Sequence, residues 1–240
     1  MRNISIPTFV TDGRHCPAEL RAGIHEIQME YPQRFTHGRH ARQLRFVGGL
    51  QGTARSLMVV RNGAETTVHY ARKADAFRAL GRLLGETGRN AATHDFSEKA
   101  RFELLGVIVD VSHNGVLRPE TVRALIRRCV LMGINTFILY AKDTYEVPGE
   151  PFFGYLRGRY TQKELRDLDA YANRFGVEMF LAIQTLGHLG QVLQWPAYAD
   201  YRDMDEILIV GEKKTYELID RMVDARYKAI SVITADRRDG

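Results

Sequence analysis

The sequence predicts an α/β protein: a small α+β domain over residues 1–98, then part of a (β/α)8 TIM barrel of about four strand–helix units over 99–240. Three observations predict it. From residue 101 onward, apolar runs of strand length alternate with amphipathic helical patterns. Those runs are apolar throughout, as parallel strands covered on both faces are, and each intervening segment is long enough for a parallel crossover. The loop after the first run, VDVSHNGVLRPE, holds no glycine-rich phosphate fingerprint, which favours a barrel over a doubly wound sheet.

The elements follow in order. Residues 44–60 and 66–72 are rich in apolar and β-branched side chains and flank the turn signal Arg61-Asn62-Gly63, which predicts a hairpin. In 75–86, Phe77, Leu80, Leu83 and Leu84 recur at helical spacing. The polar stretch 87–100 predicts the boundary between the domains. Leu104–Val111 predicts a strand, and the helix after it starts at Pro119 and stops at Gly133. Asn135–Ala141 is a second strand. Thr161–Gly176 is a helix with Thr161 and Glu164 as a capping box. Glu178–Gln184 is a third strand, Glu212–Ala225 a helix with Tyr216, Ile219 and Val223 on its apolar face, and Ala229–Thr234 a fourth strand.

At 240 residues and 45% apolar content, the chain can bury a real core. It contains no run of about 18 apolar residues that would cross a membrane. The opening, MRNISIPTFVTDGRHCPAEL, lacks an apolar leader segment, so a cytoplasmic location is expected. Cys16 and Cys129 are read as reduced, Cys129 as an inert buried thiol. The formal charge of +5 arises in residues 1–100, as single arginines (Arg34, Arg39, Arg42, Arg45, Arg55, Arg61) read as a solvated surface, with no nucleic-acid-binding module. His37 and His40 read as a solvated loop, so neither metal nor organic cofactor is expected.

A closed barrel takes eight strands in about 250 residues, and residues 101–240 supply four strand–helix steps. Open edges are therefore expected, and with them self-association into a homo-oligomer.

In a parallel barrel, ligand groups gather in the loops at the carboxyl ends of the strands. The first such loop offers Asp110, Ser112, His113 and Asn114. The second offers Lys142-Asp143-Thr144-Tyr145-Glu146 and an aromatic, glycine-rich run to Tyr160. The third offers Gln184-Thr185-Leu186-Gly187-His188, then Gln194-Trp195-Pro196-Ala197-Tyr198. Planar acceptors and donors beside aromatic rings suit the vicinal hydroxyls and C–H faces of a pyranose. Trp195 has two readings, a stacking platform or a packing residue under the third loop. Arg157 and Arg159 read as partners of structural ion pairs.

The segments LLGVIVDVSHNGV and LYAKDTYEVPGEPFFGYLRGRYTQKELRDLDAYANRFGVEMFLAIQTLGHLGQVLQWPAY resemble the β-N-acetylhexosaminidases of glycoside hydrolase family 20, in their bacterial branch. The most specific parts are Asp143–Val147 after the second strand and Ile183–His188 after the third. TTVHYARKADAFRALGRLL resembles the end of the small domain that precedes the barrel, so the resemblance covers roughly residues 45–225.

The resemblance implies removal of a terminal N-acetylhexosamine with retention, the substrate's own acetamido oxygen acting as nucleophile beside an Asp-Glu pair that orients it and protonates the leaving oxygen. It implies a substrate-binding set of His113, Asp143, Glu146, Gln184, His188 and Trp195. The fourth strand ends ITADRRDG, so Asp236 matches the orienting Asp while Arg237 stands in the place of the acid Glu. Arginine stays protonated at working pH and cannot act as a general acid. His113 stands where the family branch carries an arginine; it can still donate one bond, or it is a polar loop residue without a ligand. The alternative to a hydrolase is a carbohydrate-binding remnant that holds a sugar without cleaving it, or an inactive fragment.

Overall fold

The structure, a computed structural model, describes residues 6–36, 38, 41–51, 55–86, 94–113 and 115–230. The chain divides into two compact units. One comprises Met1–Leu105, Ala124–Asn135 and Asn173–Val177, the other Gly106–Arg123, Thr136–Ala172 and Glu178–Gly240.

The first unit contains β1 (Phe9–Val10), α1 (Ala18–Glu30), β2 (Arg42–Gly48), β3 (Ser56–Asn62), β4 (Glu65–Tyr70), α2 (Lys73–Gly85) and β5 (Phe96–Lys99), with the sheet in the order β1-β2-β4-β3-β5. The hairpin is β3–β4: Asn62 pairs with Glu65 across a two-residue turn in which Gly63, at φ +56, takes the left-handed conformation. Alternate residues of the strands turn inward, burying Leu44 and Phe46, Leu57 and Val59, Val68 and Tyr70. The apolar face of α2 adds Phe77, Leu80 and Leu83 to this core.

Three expectations need correction here. Residues 44–60 form two strands, because Gly49 at φ +82 ends β2, which then pairs in parallel with β4 on the side opposite β3. The polar stretch 87–100 includes β5, which pairs antiparallel with β3; in so short a strand, alternation is too brief to stand out from a linker. Residues 87–93 lie outside the described residues.

The arginines are not uniformly solvated either. Buried Arg34 donates to the carbonyls of Pro7, Leu83 and Leu84, the last two at the C-terminal end of α2, where a cation meets the negative end of the helix dipole. Arg55 pairs with Asp75, and Arg61 with Glu86. Local carbonyls and carboxylates thus use up much of the basic surplus. His37, Arg39 and His40 lie outside the described residues.

In the second unit, β6 (Gly106–Asp110), β7 (Thr136–Ala141) and β8 (Glu178–Ile183) form a parallel sheet in that order; along the chain β6 is followed by α3 (Pro119–Leu131), whose residues from Ala124 on belong to the first unit, and β7 by α4 (Gln162–Asn173). Gly133 follows α3 at φ +92. The capping box of α4 is present: Glu164 accepts from the backbone N–H and hydroxyl of Thr161, whose oxygen accepts from the Glu164 N–H. On one sheet face Phe137, Leu139, Ala141, Met179 and Leu181 are buried. The other face is open, with Ile108 67% exposed in β6. The strand predicted to be covered on both faces is therefore covered on one, and among the described residues β6 pairs only with β7.

Beyond β8 come α5 (Gly190–Leu193), the short antiparallel pair β9 (Arg202–Met204) and β10 (Ile207–Leu208), and α6 (Lys213–Ala229). The buried stripe of α6 is Thr215, Leu218, Met222, Ala225 and Ala229, whereas Tyr216 is exposed, so its apolar face is turned by one residue from the predicted one. Ala229 ends this helix rather than starting a strand, and residues 231–234 lie outside the described residues. No helix among the described residues is long and apolar enough to cross a membrane. Cys16 and Cys129 are free and buried, and burial pushes both thiols up, Cys16 to about 11.

Candidate functional site

The parallel register sets Asp110 beside Tyr140, Tyr140 beside Ala182 and Ala141 beside Ile183, so the residues after β6, β7 and β8 emerge together at the carboxyl end of the sheet. In the first loop, Asp110 accepts from the backbone N–H and hydroxyl of Ser112, both at 2.8 Å, and its other oxygen lies 2.7 Å from Nδ1 of His113. Burial raises the Asp110 carboxyl, but these partners outweigh it and leave the group below the ordinary carboxylate value. His113 is thereby oriented with Nε2 without a partner among the described residues, while its ring stays exposed. Asn114 lies outside the described residues.

The second loop begins with the fully buried run Asp143, Thr144 and Tyr145. Neither carboxylate oxygen of Asp143 has a hydrogen-bond partner on another described residue, and the Arg157 guanidinium approaches no closer than 3.7 Å. Burial pushes the Asp143 carboxyl up, opposed first by Arg157. Arg157 spends its Nη2 on the carbonyls of Ser112 (2.6 Å) and His113 (2.9 Å), tying the second loop to the first. Arg159 donates to the Phe153 carbonyl, and among the described residues no carboxylate pairs with it. The loop closes on itself through Glu146 N–H to Tyr160 O and Tyr160 N–H to Thr144 O. Gly154, at φ +68, is needed there, because a Cβ would stand 2.2 Å from the Asp143 carbonyl.

In the third loop, Gln184 donates to the Tyr140 hydroxyl at 2.6 Å. His188 takes the left-handed conformation at φ +58, is exposed, and sets Nδ1 3.5 Å from Glu206. Trp195 joins a three-ring cluster: it stacks on Phe152 (centroids 6.2 Å apart, 30° between planes) and meets Tyr155 edge-on (5.1 Å, 84°). Buried Tyr198 donates to Glu150, which also accepts from Arg221, fixing the second loop to the third and to α6.

The predicted residues therefore divide. His113 and Trp195 line one pocket of about 400 Å³, and Asp143 reaches its wall through Arg157. Glu146, Gln184 and His188 stand at the same end of the sheet but do not line it. Arg157, Tyr155, Gln191 and Gln194, which do line it, were not among the predicted binding residues; the aromatic and arginine-rich run 152–160 held the first two and the third-loop segment 194–198 held Gln194, while Gln191 carried no signal. Asp236 and Arg237 lie outside the described residues.

No protein-family model and no curated protein matches the sequence. The fold matches solved structures. A chitobiase of Flavobacterium johnsoniae is 18% identical with a TM-score of 0.72, the match covering 95% of this chain and 42% of that one. A mutant β-hexosaminidase of Streptomyces plicatus in complex with its product, N-acetylglucosamine, is 16% identical with a TM-score of 0.69, covering 95% and 54%. The chain has the fold of part of a family 20 β-N-acetylhexosaminidase. A third such structure, the exo β-N-acetylglucosaminidase of Vibrio harveyi in complex with N-acetylglucosamine, is 17% identical with a TM-score of 0.66, covering 92% and 41%. The chain spans about half the length of these structures, and at such identities the likeness concerns the fold.

Proposed function

We propose that this chain builds the amino-sugar-holding part of a family 20 β-N-acetylhexosaminidase, with β6, β7 and β8 as the first strands of a partial (β/α)8 barrel, and with residues 1–98 as the small preceding domain and 99–240 as the barrel portion. One observation carries the reading: the fold agrees over 95% of the chain with structures of that family, one holding N-acetylglucosamine, and the polar residues of this chain gather at the carboxyl end of the parallel strands. Asp143, Glu146, Gln184 and His188 supply the hydrogen bonds to the sugar. Asp143 suits the task best, since a buried carboxylate with unmet acceptors gains most from a hydroxyl that reaches it.

Hydrolysis would proceed by attack of the substrate's own acetamido oxygen, oriented by Asp236, with retention of configuration. Arg237 in the acid's place favours the second reading, a sugar-binding chain that does not cleave. The purified chain is expected to bind N-acetylglucosamine in a calorimetric titration and to leave a chromogenic N-acetylglucosaminide intact. Turnover abolished by Asp236→Ala would overturn the alignment of the last residues, and absence of any binding would remove the carbohydrate reading. A cytoplasmic location and self-association through the free edge of β6 complete the proposal; native mass measurement tests the latter.

A further inference from the structure

We propose that the first unit carries a peptide-docking site, where an extended acidic strand adds to the free edge of β5 and seats one aromatic side chain in the adjoining pocket. The site lies wholly within that unit and does not depend on the carbohydrate reading. Its first element is the edge. In the sheet order β1-β2-β4-β3-β5 the last strand has one neighbour, and just past it Ala100 N–H donates to the Arg55 carbonyl at 2.9 Å. Leu57 lies opposite Glu98, and Val59 opposite Phe96. Bonding alternates along an antiparallel pair, so Phe96 and Glu98, like Ala100, turn their backbone groups toward β3, and those of Ser97 and Lys99 point away from it. Among the described residues no strand meets them, and both residues are exposed, which leaves a template for one more strand.

The second element is a pocket of about 180 Å³ where β5 ends, its apolar wall formed by Leu57, Phe102, Leu105 and Met132. Every residue that lines it belongs to the first unit. Phe102 is 69% and Met132 58% exposed, and large apolar side chains left in water around one cavity mark a surface that another molecule covers. The carboxylates of the wall are already answered: Asp75 by Arg55, which also donates to the Gly133 carbonyl, and Glu98 by Arg78 and Arg82. An occupant therefore needs no polar group at depth. An apolar cavity of about 150 Å³ admits benzene, so this pocket has room for a single aromatic ring.

The third element is charge. Lys99 and Arg101 line the same pocket, are exposed, and pair with no carboxylate among the described residues. Glu103, the next acid along the chain, is engaged by Arg72, and Asp95, at the other end of β5, accepts the Arg61 N–H. The end of the edge that adjoins the pocket thus keeps its cations unanswered, which favours glutamate or aspartate on either side of the anchoring ring. A second copy of this chain fits worse, because joining two such edges would crowd the cations together. Lysine on an edge strand discourages indiscriminate pairing, and an acidic strand turns that repulsion into attraction.

The test is a calorimetric titration of the full chain with a short synthetic peptide in which glutamate alternates with threonine around one central phenylalanine. Saturable binding is expected, weakening as salt is added. Affinity should fall at least about tenfold when the phenylalanine becomes alanine, when lysine replaces glutamate, and when alternate amides are N-methylated, changes that remove the anchor, the charge and the backbone ladder in turn. Lys99→Glu and Arg101→Glu, at exposed positions where folding is not at stake, should weaken the acidic peptide and strengthen the lysine one. Absence of saturable binding by the acidic peptide overturns the proposal. Equal affinity for the N-methylated peptide overturns strand addition, and equal affinity for the lysine peptide overturns the charge assignment. Phenylpropionate binding as tightly as the peptide would make this a site for a small carboxylate instead, and would overturn the assignment to a strand.

Discussion

Asp75 in the first unit and Asp143 in the second are each buried near an arginine, and the two pairs behave differently. In the first unit Arg55 and Asp75 are almost wholly enclosed and hydrogen-bonded at 3.2 Å; Asp75 also accepts the Arg72 N–H, and Arg55 donates to the Gly133 carbonyl at 2.8 Å. In the second unit Asp143 is just as buried, but Arg157 stands 3.7 Å off with its Nη2 spent on other carbonyls, and neither carboxylate oxygen has a partner on another described residue. Burial raises the carboxyl in both cases. A buried charge with every valence answered holds a fold together, and one with valences unanswered is held in reserve for something that arrives.

The largest effect expected from this contrast is in the first pair. Arg55→Ala strands Asp75 and should cost about 3–5 kcal/mol in chemical denaturation. A loss below about 1 kcal/mol would erase the distinction between the pairs. Arg157→Ala should cost less, about 1–3 kcal/mol, because Asp143 already gets little from it, while affinity for N-acetylglucosamine falls.

Replacing the second carboxylate should act in the opposite direction on stability. Asp143→Asn is expected to stabilise the chain at neutral pH and abolish sugar binding; destabilisation would mean that Asp143 is fully served by partners after all. The pH dependence has a definite sign. Asp143 titrates above its ordinary value of 3.8 in the folded chain, so no penalty exists at lower pH, where both states are protonated. As pH climbs from 3.8 through the raised value, the unfolded chain sheds its proton first and folded stability drops to a lower plateau. Denaturation midpoints of the parent and Asp143→Asn chains should therefore diverge as pH rises, and parallel curves would contradict the burial argument.

Two backbone tests are smaller. Gly154→Ala forces a Cβ against the Asp143 carbonyl at a left-handed residue and should cost about 1–3 kcal/mol, with weakened sugar binding as the Asp143 backbone shifts. Leu156→Gly, which relieves a strained rim residue, should stabilise by at most about 1 kcal/mol, read from the thermal midpoint.

Local signals carried much of the fold. The Asn62-Gly63 turn, Pro119 at a helix start, the Thr161–Glu164 box and the apolar runs that became β6, β7 and β8 act within a few residues, so the sequence by itself determined them. It also placed His113, Asp143, Gln184 and His188 after parallel strands, which is all that spacing can do. Pairings between distant residues were decided only by tertiary structure. The same arginine-rich composition hides a helix C-terminal clamp at Arg34, a structural pair at Arg55 and a loop tie at Arg157, because a guanidinium's role depends on which carbonyls and carboxylates the fold brings to it. Trp195 and Tyr155, 40 positions apart in sequence, meet where Glu150 ties their loops together through Tyr198, and no local pattern encodes a contact between two loops.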